Sequence, residues 1–296
     1  MTTTDASSGA RPETSGRAPG GDVPGATSRP APRDGEPVLR LRSIGKSFGS
    51  VRALSGIDLD IPAGKVTALV GDNGAGKSTL IKAISGIAPP DEGQIVWQGE
   101  PVHVRTPKDA TALGIATVYQ DLALCDNLDI VQNMYLGHEL LQHRLLDESA
   151  MELGAKQALA QLSVVTVRSI RQVVGSLSGG QRQAVAVAKA VMGNARLVIL
   201  DEPTAALGVS QTAMVLGLIQ RLAERGVAVL VISHNLTDVF AVADYVAVLY
   251  LGRIAGSGPV GAFDTHSTVE LITTGRTSRA TSPDASDAGA VGGAAS

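Results

Sequence analysis

Nine residues, Gly71-Asp72-Asn73-Gly74-Ala75-Gly76-Lys77-Ser78-Thr79, have the spacing G-x-x-x-x-G-K-[ST], which suits one kind of chemistry, the holding of a polyphosphate. Glycines at these positions let consecutive backbone N–H groups turn inward around an anion. A helix starting at the end of the loop presents its positive end to the same charge. Lys77 then reaches the β- and γ-phosphates, and the Ser78 hydroxyl is placed to ligate Mg²⁺. Further along, Leu197-Val198-Ile199-Leu200 runs into Asp201-Glu202. A buried strand ending in adjacent acids is costly unless a metal or a reaction uses the charge, so one carboxylate is expected in the Mg²⁺ ligand sphere and the other on a water. Gln120 and His234 also follow short apolar runs. From there an amide can touch metal and attacking water, and a neutral imidazole can hydrogen-bond a γ-phosphate oxygen. In Leu177-Ser178-Gly179-Gly180-Gln181, a serine N-cap and two glycines at a helix start make a second anion-binding terminus. His103, His138, His143 and His266 have no such companions and are expected to be surface or packing residues.

These groups need elements to position them, and the local patterns supply them. The run Lys65-Val66-Thr67-Ala68-Leu69-Val70 is apolar and β-rich, and residues 80–85 have helical spacing, which gives strand, loop and helix in the required order. Residues 38–41 and 57–61 alternate apolar and polar like half-exposed strands. Residues 89–93 form a turn, residues 94–100 a strand and turn in which Trp97 packs, and Thr106-Pro107 an N-cap with proline at the first helical position. The strand at residues 115–119 delivers Gln120. From about 126 to 176 the pattern turns helical, most clearly over residues 149–162, and interrupts the alternation of strands and helices as an inserted helical subdomain. After the acid pair come a helix over 209–225, a buried strand over 227–233, a helix over 235–243, a strand pair over 246–256 and a short helix near 269–273.

Composition bounds the rest. Residues 1–36 and 277–296 are rich in Thr, Ser, Gly, Pro and Ala, with almost no large apolar residue, and are expected to be a disordered leader and tail. Residues 37–276 then form one α/β domain of roughly 240 residues. The N-terminus lacks the basic start and apolar core of a secretory signal. No stretch approaches the roughly 18 apolar residues that span a bilayer, so the chain is expected to be soluble by itself. Cys125 is alone, which excludes an internal disulfide and fits a small buried hydrophobe in a reducing compartment. A net charge of −3, no Lys/Arg-rich run and 3% aromatic residues argue against nucleic acid as a partner.

In order and kind, the phosphate loop, Gln120, residues 177–181, residues 198–202 and His234 resemble the motifs of the ATP-binding-cassette ATPases, and the match covers about residues 38–275. The resemblance implies a P-loop NTPase cassette with a RecA-like core, an antiparallel β subdomain and the inserted helical subdomain, using ATP and Mg²⁺. It also implies that two cassettes meet head to tail, so that Ser178 and Gly180 of one contact the γ-phosphate held by the other. By the same resemblance Glu202 is the general base, Asp201 and Ser78 ligate magnesium, Gln120 is the coupling glutamine that also touches the metal, His234 is the switch histidine, and Phe48 stacks on adenine. Where the family usually has Ser-Ala-Leu-Asp, this chain has Ala205-Ala206-Leu207-Gly208, which removes the acid of the usual cross-dimer contact. Residues 201–209, with 119–124, Asn127-Leu128 and Asn133, are similar to those of the monosaccharide importers. That similarity implies a second copy of the chain or a related cassette, transmembrane permease subunits and, indirectly, an extracytoplasmic sugar-binding protein as partners, at the cytoplasmic face of the membrane. An exporter cassette and a soluble ATPase of DNA repair or translation are the alternatives, the latter disfavoured because the coiled-coil, zinc or second-cassette insertions of those relatives are absent.

Overall fold

A computed structural model describes residues 36–162, 167 and 169–276. Apart from Glu36, the expected leader lies outside the described residues, as does the expected tail.

The first elements of the described residues are two long antiparallel strands, β1 (Pro37–Phe48) and β2 (Val51–Pro62). Along β2, Ile57, Leu59 and Ile61 point inward while Asp58 and Asp60 face solvent, the period of two expected of a half-buried strand. Both strands run further than their alternating segments suggest, meeting at a turn next to Phe48. The next strand, β3 (Val66–Val70), is buried at every residue and leads through the glycine loop into helix α1 (Lys77–Ile84). Strands β4 (Glu92–Trp97) and β5 (Glu100–Val102) extend the first pair into a four-stranded antiparallel sheet ordered β2-β1-β4-β5. As expected, Trp97 is buried in that sheet's core. Helix α2 (Pro107–Leu113) starts at Thr106 with a complete capping box to Asp109, and β6 (Ile115–Val118) follows.

Residues 126–176 hold α3 (Ile130–Tyr135), a hairpin of β7 (Leu141–Gln142) and β8 (Leu145–Leu146), and α4 (Glu148–Gln161). The hairpin was not among the expected elements. After it come α5 (Gly179–Val191), β9 (Leu197–Asp201), α6 (Val209–Glu224), β10 (Ala228–Ile232), α7 (Leu236–Val242), β11 (Tyr245–Tyr250), β12 (Arg253–Pro259) and α8 (Thr265–Thr274). The last helix starts ahead of the short helix expected near 269–273, because Asp264 and Ser267 form a capping box before its apolar residues.

Six strands make the central sheet in the order β12-β11-β3-β10-β9-β6. All neighbours pair in parallel except β11 and β12. The residues of β9 and β10 alternate between two cores. Val198, Leu200, Val229 and Val231 pack against the helical layer of α3 to α6. Leu197, Ile199, Leu230 and Ile232 pack on the other side with α1 and the antiparallel sheet. Burial on both faces explains why these strands read as unbroken apolar runs.

Candidate nucleotide-binding site

Register brings the chemistry together. Val118 lies opposite Leu200, Asp201 opposite Ile232, and Ile232 opposite Leu69. Continuing each parallel strand by two residues, Gln120, Glu202, His234 and Gly71 leave the carboxyl edge of β6, β9, β10 and β3 side by side. Ligands of open α/β sheets bind at this edge.

The loop from Gly71 to Thr79 is shaped by neighbours as well as by its own glycines. Gly76, at φ 110°, is the N-cap of α1 and supplies no side-chain cap, so the first N–H groups of the helix face the loop. A Cβ on Gly76 would press on the Ala53 carbonyl oxygen at 2.9 Å, and one on Gly71 would collide with the Leu249 carbonyl. Ala75 anchors the loop by accepting from Gly252 N–H at 2.8 Å, while Asp72, Asn73, Gly74 and Ser78 stay exposed. Lys77 Nζ curls over the loop and donates to the carbonyls of Gly71 at 2.7 Å and Asp72 at 3.0 Å.

Beside the loop, burial raises the Asp201 pKa, the neighbouring Glu202 charge adds to the rise, and the Lys77 ammonium works against it. Asp201 therefore senses both neighbouring charges. Glu202 adopts φ 50°, a left-handed conformation unusual for this residue type. Its N–H donates to Ile232 C=O at 2.9 Å, and its Oε2 lies 2.9 Å from His234 Nδ1. Its side chain is 15% exposed and that of His234 70%, so the carboxylate sits inside the site and the imidazole at its mouth. The sequence placed both residues at strand ends without revealing that they touch. Thr204 donates to Asp238 at 2.7 Å and ties the segment after Glu202 to α7.

Phe48 is 51% exposed at the turn joining β1 to β2, with Lys46 Nζ 5.6 Å from its ring centroid. Two residues into β2, Ala53 faces Gly76, so the aromatic side chain belongs to a hairpin that abuts the loop. Gln120 is exposed just after β6.

Residues 177–181 form the second helix terminus. Ser178 Oγ accepts from Gln181 N–H at 3.3 Å, and Gln181 Oε1 accepts from Ser178 N–H at 2.9 Å. Leu177 is buried, Ser178 is exposed, and Gly180 lies against α6, where a Cβ would meet Met214 at 2.7 Å. Its helix α5 packs on α3, α4 and α6. The helical layer therefore carries this terminus.

Between β6 and the helical layer runs a mainly apolar groove of 680 Å³, lined among others by Tyr119, Leu122, Met134, Tyr135, His138 and Ala186. His138, expected at the surface or in packing, is exposed on the groove wall. Local pattern carries no signal for this wall because its residues come from four separated segments. Cys125, expected to be buried, is only half-buried.

A glycine loop between strand and helix, an acid pair at the end of a neighbouring parallel strand and a capped second helix terminus on an inserted helical layer define a P-loop nucleotide-binding cassette. The chain belongs to the ABC transporter family, whose pattern matches residues 54–205, and it is accordingly an ATP-binding ATPase. It is 48% identical over 225 residues to the fructose import ATP-binding protein FrcA of Rhizobium meliloti, covering 74% of this chain and 86% of that one. It is 46% identical over 217 residues to the xylose/arabinose import ATP-binding protein XylG of Sulfolobus acidocaldarius, covering 73% and 86%. Among solved structures, the ADP conformation of MJ1267, an ATP-binding cassette of an ABC transporter, superposes with a TM-score of 0.69 at 26% identity, covering 80% of this chain and 95% of that one.

Proposed function

We propose that this cassette energises a membrane importer of a monosaccharide, docked as a peripheral subunit on the cytoplasmic face. The observation that carries the reading is its 48% and 46% identity to fructose and xylose/arabinose import ATP-binding proteins over most of their lengths. No helix among the described residues is long and apolar enough to cross a membrane; in this reading the membrane pathway belongs to separate permease subunits. The groove beside Gln120 offers a cytoplasmic permease helix an apolar seat. An extracytoplasmic sugar-binding protein delivers the substrate.

In this reading residues 71–79 cradle the phosphates of ATP, Lys77 moves from the loop carbonyls to the β- and γ-phosphates, and Phe48 stacks on adenine. The donor set suits Mg²⁺: one half-buried carboxylate, Asp201, with the Ser78 hydroxyl and Gln120 amide leaves places for phosphate and water oxygens, as this ion prefers. When bound, the ion neutralises charge on the transferring phosphate. Glu202, pinned at its backbone and carboxylate, accepts a proton from the attacking water. His234 donates to a γ-phosphate oxygen and orients Glu202. Ser178 and Gly180 close on the γ-phosphate of a second copy, so binding of ATP closes the dimer and hydrolysis reopens it.

Deleting the gene in its native host and measuring uptake of labelled pentoses and hexoses tests the reading. Loss of uptake of one sugar, restored by the intact gene and not by Glu202→Gln, is expected. Undiminished uptake of every sugar tried refutes sugar import, and the ATPase assignment would stand without it.

A further inference from the structure

The guanidinium of Arg171 lies among three carboxylates from the starts of two helices. Its Nε donates to Glu152 at 2.8 Å, one Nη to Glu148 at 2.7 Å and the other to Asp129 at 3.2 Å. Asp129 is the N-cap of α3, the helix that lines the groove with Met134 and Tyr135, and Glu148 and Glu152 stand near the start of α4. An isolated exposed ion pair is worth little. This one differs because the planar fork satisfies three acids at once and Asp129 is only 12% exposed. Without the guanidinium, the three negative charges face one another.

The backbone around Arg171 joins the same parts. Val131 N–H donates to Ile170 C=O at 3.3 Å, Ile130 N–H to Gln172 C=O at 3.2 Å, Val174 N–H to Leu128 C=O at 3.0 Å and Gly175 N–H to Asp126 C=O at 2.9 Å. Asn133, fully buried, holds the turn before α3 from inside, accepting from Cys125 N–H at 2.7 Å and donating to Cys125 C=O at 3.0 Å. Residues 126–131, which descend from Gln120 into the groove helix, and residues 170–175, which lead into Ser178, are thus one hydrogen-bonded unit.

We propose that Arg171 is a positioning residue that locks this unit, so that the groove helix α3 and the Ser178 terminus of α5 move together. The inference rests on the reading above in which Ser178 closes on the ATP of a second copy. Arg171 does not touch nucleotide in that arrangement, and its effect is confined to how readily two cassettes close.

The test uses the full chain carrying Glu202→Gln, which halts turnover, with ATP-driven dimerisation followed by sedimentation and nucleotide affinity of the dilute monomer followed with a fluorescent ATP analogue. Arg171→Met is expected to raise the ATP concentration for half-dimerisation about tenfold, a coupling of ordinary size, with monomer affinity unchanged. Arg171→Lys, a point charge without the fork, restores part of the loss. Equal dimerisation of the Met variant and its parent overturns the inference. So does a parallel loss of monomer affinity and thermal stability, which marks a general folding role. Failure of the Glu202→Gln parent to dimerise on ATP removes the reading in trans itself, and is distinguishable because it precedes any change at Arg171.

Discussion

Gly154 lies inside α4, where alanine ordinarily adds about 0.5–1 kcal/mol of helix stability. The opposite sign is expected here, because the Tyr135 hydroxyl occupies the point at which a Cβ would be built. Tyr135 is 8% exposed and belongs to the core cluster containing Met151, Ala155 and Leu159, so its ring cannot swing aside without giving up burial. Overpacking of this kind costs about 1–3 kcal/mol, and subtracting the propensity gain of about 0.5–1 kcal/mol leaves a net loss of about 0–2.5 kcal/mol, near 1 at mid-range, for Gly154→Ala. Tyr135→Phe removes the offending oxygen and leaves the next ring carbon 3.3 Å from the new methyl, tight but relievable by a small shift. In the Gly154→Ala background the Phe substitution should therefore recover at least half of the loss, although alone it brings no gain. A coupling energy of about 0.5 kcal/mol or more follows for the double-mutant cycle. Urea denaturation of the four proteins measures it, with m-values required to agree. A Gly154→Ala protein as stable as the parent, or additive effects in the cycle, would show that the close fit of Tyr135 to Gly154 does not shape the helical layer.

Three further substitutions bear on the site. Glu202→Gln should lower kcat for ATP hydrolysis by about 10²–10⁴-fold with nucleotide affinity intact, since it removes a base and keeps the phosphate cradle; steady-state turnover within tenfold of the parent argues against Glu202 as the base. Asp201→Asn should abolish Mg²⁺-dependent hydrolysis while raising the melting temperature of the nucleotide-free protein. The Asp201 pKa is raised on folding, so its charge opposes folding fully above the raised value and progressively less as pH falls toward the ordinary aspartate range, and the gain from Asn should shrink along the same window. Gly208→Asp places a side-chain acceptor at the N-cap of α6, where the backbone is extended at φ −74° and a Cβ meets nothing within 4 Å. A gain of a few tenths of a kcal/mol by thermal or chemical denaturation is expected, and destabilisation would mean that the cap geometry is wrong.

Features written in consecutive residues were legible before the fold was known. The loop at 71–79, the apolar run into Asp201-Glu202 and the Ser178 cap each declare themselves within about ten residues, and each lies where its pattern places it. What the sequence hid is assembled from afar. Arg171 meets acids at 129, 148 and 152, and the groove draws on α2, β6, α3 and α5. The β7–β8 hairpin escaped notice for a local reason. Its turn residues His143 and Arg144 adopt φ 51° and 69°, whereas the usual signal for such a turn is Asn-Gly or Asp-Gly. Its two-residue strands, Leu141–Gln142 and Leu145–Leu146, are too short to show alternation. In the same way, the contact of His234 with Glu202 depends on β9 and β10 being neighbours in register, a fact of sheet order that no spacing within one strand contains.

Sheet order also explains why the acid pair can be so poorly accommodated and still persist. Glu202 holds a left-handed backbone, which for a non-glycine residue costs of the order of 1–3 kcal/mol, and Asp201 keeps a carboxylate where burial disfavours its charge. Strain of this kind survives only where surroundings over-determine it. Here β9 is paired with β10 over Leu197–Asp201 and with β6 over Leu197–Leu200, and the Glu202 N–H is held by Ile232 C=O on the neighbouring strand. The rigid parallel core thus fixes the direction of the Glu202 carboxylate, while the second helix terminus is carried by a layer tied together through side chains such as Arg171 and Asn133. In the proposed reading, chemistry placed on strand ends and closure placed on the helical layer make separable demands. Substitutions at the strand ends are therefore expected to change turnover at constant nucleotide affinity, and substitutions in the helical layer to change how much ATP is needed to bring two sites together.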